Sequence, residues 1–160
     1  MSWSEKFDEA INEYQKAIDL NPQFEKAHIG LAKIFVKQEK LEDAISHFAE
    51  ALRINPNSVM ANAMMGDLQL KKEEYAQAIT HYRMSLQLDP QDVNVHSNLG
   101  LALYQNNDVN EAIEQFKKAL DIDPNFAPAR QNFDLVLKHQ KSGDMTDQDS
   151  DDELNENIAE

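Results

Sequence analysis

Five histidines are the side chains best suited to hold a metal or move a proton near neutral pH: His28, His47, His81, His96 and His139. Their spacing argues for a repeated structural position instead. His47 and His81 are 34 residues apart, and His28 and His96 are separated by twice that interval. On a shared face, His47 and His81 are the one pair placed for adventitious metal. No His-Glu-x-x-His run, nucleophile elbow, phosphate loop or dinucleotide fingerprint accompanies them. The chain has no cysteine, which removes thiol nucleophiles, disulfides and Cys-ligated metal sites. Paired acids such as Glu42-Asp43 and Glu73-Glu74 are expected at helix starts, facing the positive end of the dipole, and not as an acid/base pair. The expectation is a protein that is not an enzyme, with no catalytic residue, metal or cofactor.

Charge narrows the partners. The 160 residues carry 29 acids against 15 Lys and Arg, a net charge of −14. Such a chain is a poor match for nucleic acid or an anionic membrane, both of which need positive charge facing phosphate. Eight of the acids fall in residues 142–160, a stretch without Lys or Arg, so the first 141 residues are only mildly acidic. That stretch has too few apolar residues to offset its ordering entropy, and a disordered acidic tail is expected there. Thr146 and Ser150 within it lie in contexts that resemble acidophilic kinase sites. The first residues show neither a basic nor an apolar signal segment. No run approaches the roughly 18 apolar residues that would span a bilayer. A cytoplasmic location is therefore expected.

The elements that position these residues follow one period. Pro22, Pro56, Pro90 and Pro124 are spaced by 34 residues, each closing a phrase of the type Ala17-Ile-Asp-Leu-Asn-Pro22. An Ala-Ile step precedes each one, at Ala10, Ala44, Ala78 and Ala112. Along each segment ahead of a proline, apolar residues recur at three- and four-residue spacing, as in Leu41, Ala44, Ile45, Phe48, Ala51 and Leu52, which predicts amphipathic helices. The Asn/Asp-Pro steps end them, because a residue before proline avoids the α region. Four in-register copies predict stacked repeats.

With the proline set as slot 32, the pattern resembles the tetratricopeptide repeat, whose unit is two antiparallel helices. Slot 8, where the two helices cross, holds Ala32, Gly66 and Gly100. Slot 20 holds the four alanines named above, slot 24 the aromatics Tyr14, Phe48, Tyr82 and Phe116, and slot 27 Ala17, Ala51, Ser85 and Ala119. The resemblance implies an all-α right-handed solenoid. Its parts are a half repeat at 1–24 (second helix only), full repeats at 25–58, 59–92 and 93–126, a solvating helix at 127–141 and the tail at 142–160. Ser4 is expected to cap the first helix and Trp3 to shield it. Phe133 and Leu137 are expected to cover the last repeat.

The resemblance also implies a concave groove lined by first helices, at slots 2, 5, 6, 9, 12 and 13. These slots hold Lys26, Ile29, Gly30, Lys33, Val36 and Lys37; then Met60, Ala63, Met64, Asp67, Leu70 and Lys71; then Asn94, Ser97, Asn98, Leu101, Tyr104 and Gln105. The closing helix adds Gln131, Asn132, Leu135 and His139. Met60, Met64, Leu70, Leu101 and Tyr104 stand where water-facing residues are cheaper, which marks a partner surface. Asn98 and Asn132 share slot 6 and resemble two rungs of the asparagine ladder in the repeats of O-linked N-acetylglucosamine transferases, which holds peptide backbone. Lys26, Lys33, Lys37 and Lys71 form a basic patch that suits an acidic peptide or terminal carboxylate. The carboxylate clamp of chaperone-binding relatives is absent, since its register here holds Ile29, Lys33, Met64, Asn94 and Asn98.

The function expected is a non-catalytic scaffold that binds a protein or peptide, acidic in character, in this groove. The alternatives are self-assembly into homo-oligomers through the open N-terminal half repeat, and a substrate-targeting fragment of a larger enzyme such as a glycosyltransferase. The acidic tail visiting the lysine patch is a further expectation.

Overall fold

A computed structural model of the chain describes the backbone of residues 3–156 and the side chains of residues 6–142. The described residues form eight helices and no strand: α1 (Trp3–Leu20), α2 (Glu25–Lys37), α3 (Leu41–Ile54), α4 (Val59–Lys71), α5 (Tyr75–Leu88), α6 (Val93–Gln105), α7 (Val109–Ile122) and α8 (Ala127–Glu156). Each packs on its chain neighbour, and the antiparallel pairs stack into a solenoid.

The turn inside each full repeat is closed the same way three times. Glu39, Glu73 and Asn107 have φ of 60°, 61° and 68°, the left-handed conformation that turns the following N–H groups back onto the helix end. Lys40 N–H donates to the Phe35 carbonyl at 2.9 Å and Glu39 N–H to that of Val36 at 3.1 Å. Glu74 and Asp108 make the equivalent bonds to Gln69 and Leu103. Glu73 is therefore a turn residue and not a helix-start acid, which corrects the sequence expectation. Glu42 and Asp43 do lie in the first turn of α3.

The joints between repeats are built around the prolines. Asn21, Asn55, Asp89 and Asp123 each accept, through the side chain, the N–H two residues on, just past the proline. The proline carbonyl is then taken by the slot-4 side chain of the next helix. His28 reaches Pro22 at 3.3 Å, Asn62 reaches Pro56 at 3.1 Å, His96 reaches Pro90 at 3.0 Å and Arg130 reaches Pro124 at 3.2 Å. In the full repeats slot 4 also meets slot 23: His28 with His47 at 3.2 Å, Asn62 with His81 at 3.1 Å, and His96 with Gln115 at 2.9 Å. Four of the five histidines thus belong to a polar seam between paired helices.

Packing follows the alternation of small and large residues. Phe48, Tyr82 and Phe116 are 0% exposed, as are the alanines at slot 20 of α3, α5 and α7. A Cβ on Gly66 would lie 2.6 Å from the Tyr82 ring, and one on Gly100 2.7 Å from Phe116, so only glycine lets these helices close so tightly. The buried core forms one cluster around Phe48 between α2 and α4, and a larger one from α5 to α8. Phe133 packs on the larger cluster, but the fully buried anchors of α8 are Ala129 and Val136.

One end differs from the expectation. The backbone of α8 runs on past Gly143 to Glu156, where a coil was expected from residue 142. After Pro128 this stretch contains no proline, and Gly143 alone does not interrupt the helical backbone. Residues 157–160, and the side chains from 143 onward, lie outside the described residues. So do the side chains of Trp3 and Ser4, expected to shield and cap α1.

Candidate functional site

Curvature decides which helices face a ligand. α4 packs on α6 and α6 on α8, a closeness that α3, α5 and α7 do not match among themselves. α4, α6 and α8 are therefore the more closely spaced set, on the inner side of the stack.

Most of the predicted site residues present themselves there. Lys26, Lys33, Lys37, Lys71 and Asn94 are exposed, and Met60 keeps 49% of its surface open. Met64, Asn98, Leu101, Tyr104 and Asn132 are half-buried. Leu135, on α8, is a further exposed apolar side chain. Ser97 is an exception: expected on the lining, it is 1% exposed, and its hydroxyl has no partner among the described residues.

Asn98 is already engaged. Its Nδ2 donates to Asp67 Oδ1 at 2.9 Å, and the same oxygen accepts the Tyr82 hydroxyl at 2.7 Å. Burial pushes the Asp67 carboxyl above its ordinary range, with the two hydrogen bonds working against that shift. The Tyr82 hydroxyl is pushed up by burial and by the neighbouring Asp67 charge. This triad bridges two repeats, and sequence reading missed it because it placed Asp67 on the lining without a partner. It leaves the Asn98 carbonyl oxygen without a hydrogen-bond partner among the described residues. Tyr104 is likewise oriented, its hydroxyl 2.5 Å from His139 Nδ1 on α8. Beside this pair lies a cleft of about 380 Å³ that also includes Asn107, Val109 and Val136.

Lys26, Lys33, Lys37 and Lys71 make no ion pair among the described residues, whereas Lys72 is held by Glu42 and Glu74 at 3.0 and 3.2 Å. Lys33 and Lys37 open onto a cleft of about 330 Å³ between α1 and α2, together with Lys6, Phe7, Ala10, Tyr14, Gly30 and Ile34. Gly30, expected on the groove lining, instead lies beneath the Tyr14 ring, 2.6 Å from Cε1 to the place a Cβ would take.

The histidines are not gathered into a site. Among the described residues no group of three or more His, Cys, Asp or Glu is placed to hold a metal ion. His47 and His81 each turn to a slot-4 partner, and both imidazoles are held below their usual range. Burial is the main cause for each, and for His47 the nearby His28 adds to it. Among the described residues no helix is long and apolar enough to cross a membrane.

What the arrangement can do is hold a chain segment: apolar side chains for anchoring, amide and hydroxyl groups for orientation, and lysines at one end. Comparison with known proteins agrees on the architecture. The crystal structure of MamA superposes with a TM-score of 0.80 at 23% identity, covering 88% of this chain and 86% of that one. YrrB, described as a TPR protein with an unusual peptide-binding site, gives 0.79 at 23% identity, covering 86% and 71%. The first TPR domain of Spaghetti (RPAP3), solved with the HSP90 peptide SRMEEVD, gives 0.71 at 16%, covering 74% and 94%. Likeness at these identities carries the fold. No curated protein matches the chain in sequence. Tetratricopeptide repeat family models match residues 4–68, 66–107 and 93–126. With slots, turns and packing all repeating in that register, the chain belongs to the tetratricopeptide repeat family.

Proposed function

We propose that this protein is a non-catalytic interaction scaffold that holds an extended or helical segment of a partner protein along its inner helices. The observation that carries the reading is the run of part-exposed apolar side chains on that face, Met60 foremost, beside lysines without an ion pair among the described residues. Met60, Met64, Leu101 and Tyr104 anchor apolar side chains of the segment. Asn94, Asn132 and the free carbonyl of Asn98 meet its backbone. Lys26, Lys33, Lys37 and Lys71 favour an acidic flank. The peptide-bound state of the RPAP3 relative supports the same use of the fold here.

The test is selection of peptides from a displayed random library on the whole chain, followed by affinity measurements on the enriched sequences. Met60→Glu and Tyr104→Ala each lower affinity by at least about tenfold, the loss expected of a central anchor. Lys71→Glu weakens acidic peptides more than neutral ones. Selected peptides that bind both apolar variants as well as the parent chain would show that the groove is not the site.

A further inference from the structure

The cleft between α1 and α2 differs from every equivalent place in the molecule. In the three full repeats the slot-24 aromatic is sealed, with Phe48, Tyr82 and Phe116 all 0% exposed beneath the first helix of their own repeat. Tyr14 occupies the same slot on α1, has no such helix over it among the described residues, and is 36% exposed. No residue between 6 and 20 is buried. The result is an apolar floor of Phe7, Tyr14 and Ile34 under a rim of Lys6, Lys33 and Lys37. A floor of that kind inside a basic rim selects an acidic segment that carries a few apolar side chains.

The chain contains such a segment. Residues 144–156 hold seven acids and no Lys or Arg, and Leu154 and Ile158 stand four apart among Asp151, Asp152, Glu153 and Glu156. It leaves from the opposite end of the stack, where α8 packs on α7 and α6 while α1 packs on α2. Thirteen residues of helical backbone extend α8 by about 20 Å, and a straight helix does not turn back across the stack. The segment is therefore presented to a neighbouring molecule.

We propose that the α1–α2 cleft receives the acidic end of α8 from a second copy of this chain, so that copies join head to tail. The contact is heterologous, with different surfaces on the two sides, and propagates as an open chain instead of closing a two-fold dimer. Opposite charge sets the pairing and the apolar pair fills the floor. The joint shares Lys33 and Lys37 with the basic end of the groove, whereas Met60 and Tyr104 take no part in it.

Sedimentation velocity on the full chain over a range of concentrations tests this directly. The expected result is reversible association beyond the monomer, weakening by about tenfold or more as ionic strength rises from about 0.05 to about 0.5 M. A chain ending at residue 142 and the Lys33→Glu/Lys37→Glu variant both stay monomeric; the double variant keeps its circular dichroism, and the shortened chain loses only the helical signal of the removed end of α8. A labelled peptide of residues 143–160 binds the 1–142 chain, loses at least about tenfold in affinity to the double variant, and is unaffected by Met60→Glu. A full chain that stays monomeric at low salt overturns the proposal. So does equal association of the 1–142 chain, or a peptide that responds to Met60→Glu and ignores the lysine changes.

Discussion

Gly66 and Gly30 pose one steric question with opposite expected answers. A Cβ added at Gly66 meets Tyr82 at 2.6 Å from Cε1, 2.7 Å from Cδ1 and 3.0 Å from Cζ. Tyr82 has nowhere to go, since it is 0% exposed and its hydroxyl is fastened to Asp67 at 2.7 Å. Replacing a helical glycine by alanine gains about 1 kcal/mol of helix propensity. Overpacking a closed core costs about 1–3 kcal/mol, and a ring held at both ends puts Gly66→Ala in the upper half of that range. The net expectation is a loss of about 1–2 kcal/mol. At Gly30 the added Cβ comes closer still to the ring of Tyr14, nearest Cζ and 2.6 Å from Cε1, but Tyr14 is 36% exposed and its ring is free to swing outward. There the propensity gain wins, and Gly30→Ala is neutral or stabilising by up to about 1 kcal/mol. Urea unfolding followed by circular dichroism reads both, with midpoints compared at matched slopes because repeat arrays need not unfold in one step. If Gly66→Ala raises the midpoint, or if the two variants fall together, freedom of the neighbouring ring is not what decides the outcome.

Three further outcomes follow from the seams and turns. His47 is held below the ordinary histidine range by burial and by His28, so the unfolded chain takes up the proton first. Stability is therefore intact above about pH 6.5 and is lost as pH falls through the lower folded value. Urea midpoints between pH 7.5 and 5 should drop less in His28→Asn, which copies the Asn62–His81 pair of the next repeat, and an unchanged drop would remove His28 from the cause. Glu73→Gly relieves a left-handed residue and should raise stability by about 1 kcal/mol in the same urea assay, with a smaller gain for Asn107→Gly. Asp67→Ala strands the Tyr82 hydroxyl and the Asn98 amide and should cost about 1–3 kcal/mol, while Asp67→Asn keeps an acceptor without a buried charge and costs less.

The large features were legible because they repeat. Proline spacing, small residues at slots 8 and 20, and the aromatic at slot 24 are each a packing demand met several times, so the helices and their crossings could be placed from the letters alone. The left-handed turn residues were not legible, because Glu39 and Glu73 lack the glycine that usually announces that conformation. The Asp67–Tyr82–Asn98 triad joins residues 15 and 31 apart, a pairing that periodicity does not specify. Gly30 misled for a related reason. Its slot was expected on the groove, but against α1 it lies beneath the Tyr14 ring. On α8 the expectation named Phe133, which packs on the core, but overlooked Ala129 and Val136, its fully buried anchors.

The polar seams have a consequence for how such a chain can change length. Each proline carbonyl is answered by a side chain six residues later, and in the three full repeats that side chain by another nineteen residues on, with only the types varying between His, Asn, Gln and Arg. Every tie thus opens and closes within a unit or with its immediate neighbour. Cutting out residues 59–92 would bring Pro56 to His96 with the same six-residue offset that Pro90 has now, and the seam would close over the gap. Removing one residue fewer would leave that carbonyl facing the wrong side of a helix. Thirty-four residues is therefore the indivisible step by which this molecule can be shortened or extended.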